Sequence, residues 1–295
     1  MEIIFKFDFE PGELKATINI ELEMLKSIIE STQLGIDKIV LTSNLDEDIK
    51  NLYGLSPYVS KRKVGNSYVD VVAKYCNAEK ESILFITSQL LNYQDFKIRF
   101  YIYLHELMHA QNEKVLQKLG EARYPGDIRN QHLSTLYDEY TADRKALKLL
   151  EEIYPDYSEA WEDFKTTTVI GLAKIINDTT NYQFITDKLE DFTKTGDANR
   201  FLSEIMLLVD DLSTSIVRIQ AFFDQYQRLS NGLDISKSKF VNDKSGSLMA
   251  FFQERFLSED QSLEGGLPLI TEFHSNFGFR FEERVSCLWC YPVEI

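Results

Sequence analysis

The stretch Tyr101-Ile-Tyr-Leu-His-Glu-Leu-Met-His-Ala110 decides how the rest of this chain is read, because it holds the pattern H-E-x-x-H at His105-Glu106-Leu107-Met108-His109. On a helix, residues four apart stand one above the other on the same face. The imidazoles of His105 and His109 can therefore converge on one metal ion, with Glu106 beside the first of them. This is the two-histidine half of a zinc hydrolase site, with the intervening glutamate as general base. The flanking sequence predicts that helix. From Asp95 to Leu119 there is neither Pro nor Gly, and Phe96, Phe100, Tyr103, Leu104, Leu107, Met108, Val115, Leu116 and Leu119 recur at three- and four-residue steps. Asp95 is placed to cap its start and Gly120 to stop it.

A turn-rich loop, Gly120-Glu-Ala-Arg-Tyr-Pro-Gly-Asp127, separates this helix from a second one predicted over Ser134 to Ile153 and ended by Pro155. Catalytic zinc usually takes three protein ligands and keeps a fourth position open, and two His with one Glu is a standard set. Glu139 lies far enough beyond His109 for a loop and a returning helix. Asp143 shares its face and can accept the second N–H of a ligand imidazole. Ala142 is small enough to let two helices approach closely. A lone Glu and Asp on a helix of an acidic protein normally mark a solvated face. Both motifs in order, on two predicted helices joined by one loop, favour the metal site.

Glu139-Tyr-Thr-Ala-Asp143 downstream of His105-Glu-Leu-Met-His109 resembles the zincin metallopeptidases of the gluzincin type, in which a Glu-x-x-x-Asp helix follows the H-E-x-x-H helix. The longer run Glu139-Tyr-Thr-Ala-Asp-Arg-Lys-Ala146 is similar to that of the membrane-embedded prenyl-protein and heat-shock proteases, and the pattern is also similar to that of compact phage- and stress-linked repressor-cleaving peptidases. The resemblance covers about residues 80–153. It implies His105, His109 and Glu139 as zinc ligands, Glu106 as base and Asp143 behind the ligands. The chain departs from the membrane-embedded enzymes in having no apolar run long enough to span a bilayer.

The formal charge of −15 on 295 residues excludes a general affinity for nucleic acid or anionic membranes. Three cysteines do not make a disulfide framework, and the first residues lack the basic and apolar regions of a signal peptide, so a cytoplasmic protein is expected. Cys287-Leu-Trp-Cys290 is a single C-x-x-C near the end of the chain. It carries little weight as a redox or metal motif, although a tail thiolate could also fold back onto the zinc. Cys76 reads as a small buried residue.

Taken in order, the chain predicts a strand near Ile3–Phe9, a helix over Ile20–Gln33, a short buried strand at Lys38–Thr42, and a helical turn or loop over Asp46–Leu55. A turn at Gly65-Asn66 leads into another strand, and Ser82–Thr87 is the clearest strand. An extended substrate could pair with the open edge of such a sheet. From Ser158 to Leu229 the pattern is helical. Ser230–Ser247 reads as a loop, Leu248–Leu257 as a helix, and the tail from Leu267 to Phe281 as rich in strand formers. The expected class is α+β, a small mixed sheet packed on a two-helix zincin core over residues 1–155, followed by a mostly helical region with a short β-rich tail over 156–295. That second region is a candidate partner-binding or self-associating module.

Oxyanion stabilisation needs a further donor. The candidates are His274, His132, Tyr137, Tyr140 and Tyr154. His274 is preferred because it lies in a tail that can close over the cleft, against its plainer reading as a surface histidine. The expected function is zinc-dependent hydrolysis of a protein or peptide. The alternatives are a silent zincin-scaffold adaptor and a zinc hydrolase acting on a non-peptide substrate.

Overall fold

This computed structural model describes residues 1–7, 14–54, 61–64, 67–78, 81–93, 95–120, 128–154, 164–165, 167–172, 190–197, 207–226, 246–259, 262–276, 279–284 and 287–292. The chain forms two compact units built from interleaved segments. The first comprises Met1–Lys63, Tyr68–Lys114 and Lys145–Phe164, and the second Val64–Ser67, Val115–Arg144 and Lys165–Ile295. The expected boundary near 155 falls inside the third segment of the first unit. Among the described residues no helix is long and apolar enough to cross a membrane.

The fold is mixed α+β. In the first unit β1 (Glu2–Lys6), β2 (Lys38–Thr42), β6 (Glu81–Thr87) and β5 (Ala73–Ala78) form a four-stranded sheet in the order β1-β2-β6-β5. The first three run parallel and β5 runs antiparallel on β6, which makes the sheet mixed. Parallel strands covered on both faces read as unbroken apolar runs, which is why Lys38-Ile-Val-Leu-Thr and Ser82-Ile-Leu-Phe-Ile-Thr stand out in sequence. On one face Val40, Ile83, Phe85 and Cys76 pack against Leu45 and Ile49 of α2 (Leu45–Tyr53). Ile39, Leu41, Leu84 and Ile86 alternate to the other face and are fully buried.

Two sequence expectations are corrected in this unit. The helical turn or loop expected over Asp46–Leu55 is, among the described residues, the full nine-residue helix α2, capped by Asn44, whose side chain accepts from the Glu47 amide at 3.2 Å. Asp46, Glu47 and Asp48 complement its positive end, and Gly54, at φ +82°, ends it where an L side chain would be strained. The edge strand β5 was not expected at all. Ala73-Lys-Tyr-Cys-Asn-Ala carries weak strand propensity and takes its form from pairing with β6. β3 (Lys61–Val64) and β4 (Ser67–Asp70) form a separate two-stranded pair.

After the short helix α3 (Ser88–Leu91), the helix carrying H-E-x-x-H is α4 (Phe96–Gly120), with Asp95 accepting from the Lys97 amide as the expected cap. It is bound to α1 (Leu14–Ser31) by a buried cluster. Arg99 donates through Nε and Nη2 to the Glu21 carboxylate, Tyr103 donates its hydroxyl to the same carboxylate at 3.2 Å, and Arg99 also donates to the Tyr93 carbonyl. The Tyr154 ring packs edge-on against Phe96 and Phe100 of α4.

The second unit is built on α5 (Ile128–Ile153) as far as Arg144, with α6 (Leu207–Gln225), α7 (Gly246–Leu257), α8 (Gly266–Asn276) and the hairpin β7–β8 (Phe279–Arg284, Cys287–Pro292). The strand-rich reading of residues 267–276 is corrected: this segment is α8. Ile270, Phe273 and His274 are buried at helical spacing, and Pro268 sits in the first turn, where it costs no hydrogen bond. A Cβ at Gly266 would lie 2.7 Å from Leu133 Cδ2 of α5, so any larger residue there makes the buried Leu133 side chain shift. The expected loop over 230–247 lies almost wholly outside the described residues, as do the 120–127 loop and the side chains of Cys287 and Cys290.

Glu21 and Arg99 are 6% and 7% exposed, so removing one charge strands the other. Arg99→Met is expected to destabilise the protein by about 3–5 kcal/mol, read as a lower urea midpoint. Arg99→Met combined with Glu21→Gln is expected to be the milder change. An equal or larger loss in the double variant would show that the pair itself, and not the stranded carboxylate, carries the effect.

Candidate metal centre

His105 and His109 sit one turn apart on α4, and their Nε2 atoms approach to 3.0 Å with the rings nearly perpendicular at 87°. His105 is buried and His109 half-buried. Two imidazole nitrogens this close, in a roughly perpendicular pair, suit a shared metal ion. Tetrahedral zinc at about 2.0–2.1 Å from each would place them about 3.3 Å apart. The half-buried Glu139 of α5 completes the set: one ligand atom from each of the three residues lies within 4.8 Å of the others. Two neutral imidazoles and a carboxylate are a donor set that zinc accepts. Tyr101, one turn before His105, sets its ring 6.1 Å from the His105 imidazole, and Phe164 packs on Tyr101 at 5.4 Å.

Glu106 follows His105 and is 8% exposed. Its Oε2 accepts the main-chain N–H of Tyr75, on β5, at 2.7 Å. The Tyr75 hydroxyl donates to Glu113 Oε2 at 2.8 Å, and burial raises the phenol's pKa, which keeps it a donor. Further along α4, Lys145 of α5 donates to Asn112 Oδ1 at 2.7 Å.

Asp143 is completely buried. Its carboxylate accepts from Arg218 of α6, through Nε at 3.0 Å and Nη2 at 3.5 Å. The residue expected to orient a ligand histidine thus carries a guanidinium partner. Sequence reading missed Arg218, yet a signal was present: an arginine inside the apolar stripe Ile216-Val217-Ile219-Phe222 needs an acidic partner when that stripe is buried. Tyr75 and Glu113 were missed with no comparable signal.

His274 is neither in a strand nor on the surface. It is fully buried on α8, its Nε2 lying 2.6 Å from His132 Nδ1 of α5, with the two rings stacked at 4.9 Å. One of these nitrogens donates and the other accepts. His132 precedes Glu139 by seven residues, about 10 Å along the helix axis, so the structure groups His274 with His132 and not with Glu139. The other oxyanion candidates also have partners. Tyr140 donates to Asp224 Oδ2 at 2.6 Å, Tyr154 to Met24 Sδ at 3.6 Å, and the Tyr137 ring packs on Phe252.

Burial lowers the His132 pKa to about 4. Asp210 Oδ1, 3.4 Å from Nε2, favours the charged ring, but its side chain is 41% exposed and its pull is screened, so burial wins. The folded state thus binds fewer protons at this ring than the unfolded chain, whose value is near 6.5. The stability that a neutral His132 permits is complete above pH 6.5 and is lost as pH falls towards 4, about 3 kcal/mol in all. Urea midpoints at pH 7 and pH 5 are expected to differ more in the wild type than in His132→Gln. Equal differences would remove His132 as the source. No family model matches this chain, and no curated protein or solved structure matches it.

Proposed function

We propose that this chain is a zinc-dependent peptidase. The observation that carries the reading is the convergence of His105, His109 and Glu139, with Glu106 adjacent to the first ligand. In this reading the three residues hold the metal. Zinc, when bound, supplies Lewis acidity, polarising a carbonyl and lowering the pKa of water. Glu106 takes a proton from the attacking water and passes it to the leaving nitrogen, while the aromatic flank of Tyr101 and Phe164 limits water on the His105 side. The Arg218–Asp143 pair holds the α5 turn after Glu139 in place. Among the described residues β5 is the last strand of the four-stranded sheet, and a strand edge suits an extended peptide better than a compact small molecule.

The test is elemental analysis of protein purified without added zinc, together with hydrolysis of a mixture of internally quenched fluorogenic peptides. About one zinc per chain is expected in the wild type, with strong loss in Glu139→Ala and His109→Ala. Glu106→Gln is expected to keep zinc and to lower kcat by about 10²–10⁴-fold. A wild type that takes up no zinc on titration sinks the metal site. Full activity in Glu106→Gln removes Glu106 as the base.

A further inference from the structure

We propose that Tyr75 is the positioning residue for Glu106, fixing the base by joining the edge of the sheet to α4 at two points. The inference rests on the peptidase reading above, and the contacts that carry it all lie within the first unit.

The register of β5 on β6 sets which way each amide points. Thr87 donates its amide to the Val72 carbonyl, and the pairing continues with Ala73 opposite Ile86 and Tyr75 opposite Leu84. In an antiparallel pair the bonded and non-bonded positions alternate, so Tyr75 occupies a non-bonded position and its N–H and C=O face away from β6. Among the described residues β5 is an edge strand, and that N–H serves no neighbouring strand. Glu106 Oε2 accepts it at 2.7 Å. Oε1 of the same carboxylate receives no hydrogen bond among the described residues, which leaves one oxygen held and the other open for proton transfer.

The side chain supplies the second point. Cys76 turns into the core on the α2 face, so the period of two sends Tyr75 to the opposite face, and its hydroxyl donates to Glu113 of α4. Glu106 and Glu113 are seven residues apart, two helical turns, and they bracket His109. The amide alone would let β5 slide or pivot over α4. The phenol bond fixes the strand at a second place and so holds the amide where Glu106 needs it. A general base works only within hydrogen-bond reach of its proton, and a glutamate with three free torsions is seldom there unaided.

The experiment compares wild type, Tyr75→Phe, Glu113→Ala, Glu113→Gln and the Tyr75→Phe/Glu113→Ala double variant on the same fluorogenic peptide mixture, with zinc content and thermal midpoint measured alongside. Tyr75→Phe and Glu113→Ala are each expected to lower kcat about tenfold with KM, zinc content and midpoint unchanged. The double variant is expected to be no slower than either single one. Glu113→Gln, whose side-chain oxygen still accepts from the phenol, is expected to restore most of the rate. Hydrogen exchange at the residue 75 amide gives a second readout: it is expected to quicken in Tyr75→Phe and most in Glu106→Ala. Unchanged kcat in Tyr75→Phe with an active wild type, or losses that add in the double variant, overturns the inference and leaves the peptidase reading standing. A wild type that neither retains zinc nor cleaves the mixture overturns both.

Discussion

A buried polar group must find a hydrogen-bonding partner or destabilise the fold, and α4 concentrates this constraint on one helix. Arg99, His105, Glu106 and Asn112 are all under 9% exposed on a helix whose other buried positions, among the described side chains, are Phe100, Tyr101, Tyr103, Leu104, Leu107, Met108 and Ala110. Their partners come from different elements. Arg99 takes Glu21 of α1, Glu106 takes the amide of β5, and Asn112 takes Lys145 of α5. The helix with the most metal-like sequence is therefore also the one whose polar side chains tie the first unit together. Apolar packing alone would tolerate small rotations of α4. The directional bonds select one orientation, and that orientation sets the two imidazoles edge to face.

The second unit obeys the same rule on α5. Tyr140, Asp143 and Arg144 occupy one stretch of buried helix, and each is neutralised or bonded by α6 or α7. Asp224 takes the Tyr140 hydroxyl and lies 3.7 Å from Arg144, Arg218 takes Asp143, and the Arg144 guanidinium stacks over Phe256 at 4.6 Å. A buried carboxylate such as Asp143 holds its charge only with a cation beside it. This gives the Asp of the Glu-x-x-x-Asp run a physical reason to be there that does not depend on metal, and both uses fit one side chain, since a carboxylate has lone pairs for more than one donor.

Much of this was legible from local signals. The spacing of apolar residues and the Asp95 cap place α4 to within a residue, and the periodic run ending before Pro155 identifies α5, although its start lies six residues earlier than Ser134. The pairing of H-E-x-x-H with a later Glu-x-x-x-Asp pointed to the three residues that the structure groups. What was not legible depends on partners distant in sequence. Arg218 meets Asp143 across 75 positions, and His274 meets His132 across 142. Residues 267–276 contain β-branched and aromatic side chains that suit a strand, and only their burial against neighbouring helices makes them α8. Tyr75 was invisible for a different reason: the group that reaches Glu106 is a main-chain amide, which every residue but proline possesses, so no residue type could announce it.

That anonymity bears on how the sheet and the site constrain each other. In a central strand the outward N–H of residue 75 would be consumed by the next strand, and α4 could not use it. Only an edge strand has amides to lend, and unpaired edges invite non-specific association unless something covers them. Glu106 covers this edge at one position with a single side-chain acceptor, where a strand would bring a row of main-chain groups. The arrangement thus requires the sheet to stop at β5. A further strand paired there would complete the sheet and take the donor from the carboxylate, whereas an extended peptide arriving at the same edge would meet the Tyr75 carbonyl and the carboxylate together. The ending of a four-stranded sheet at β5 and the placement of a glutamate beside two histidines are, on this view, a single structural decision.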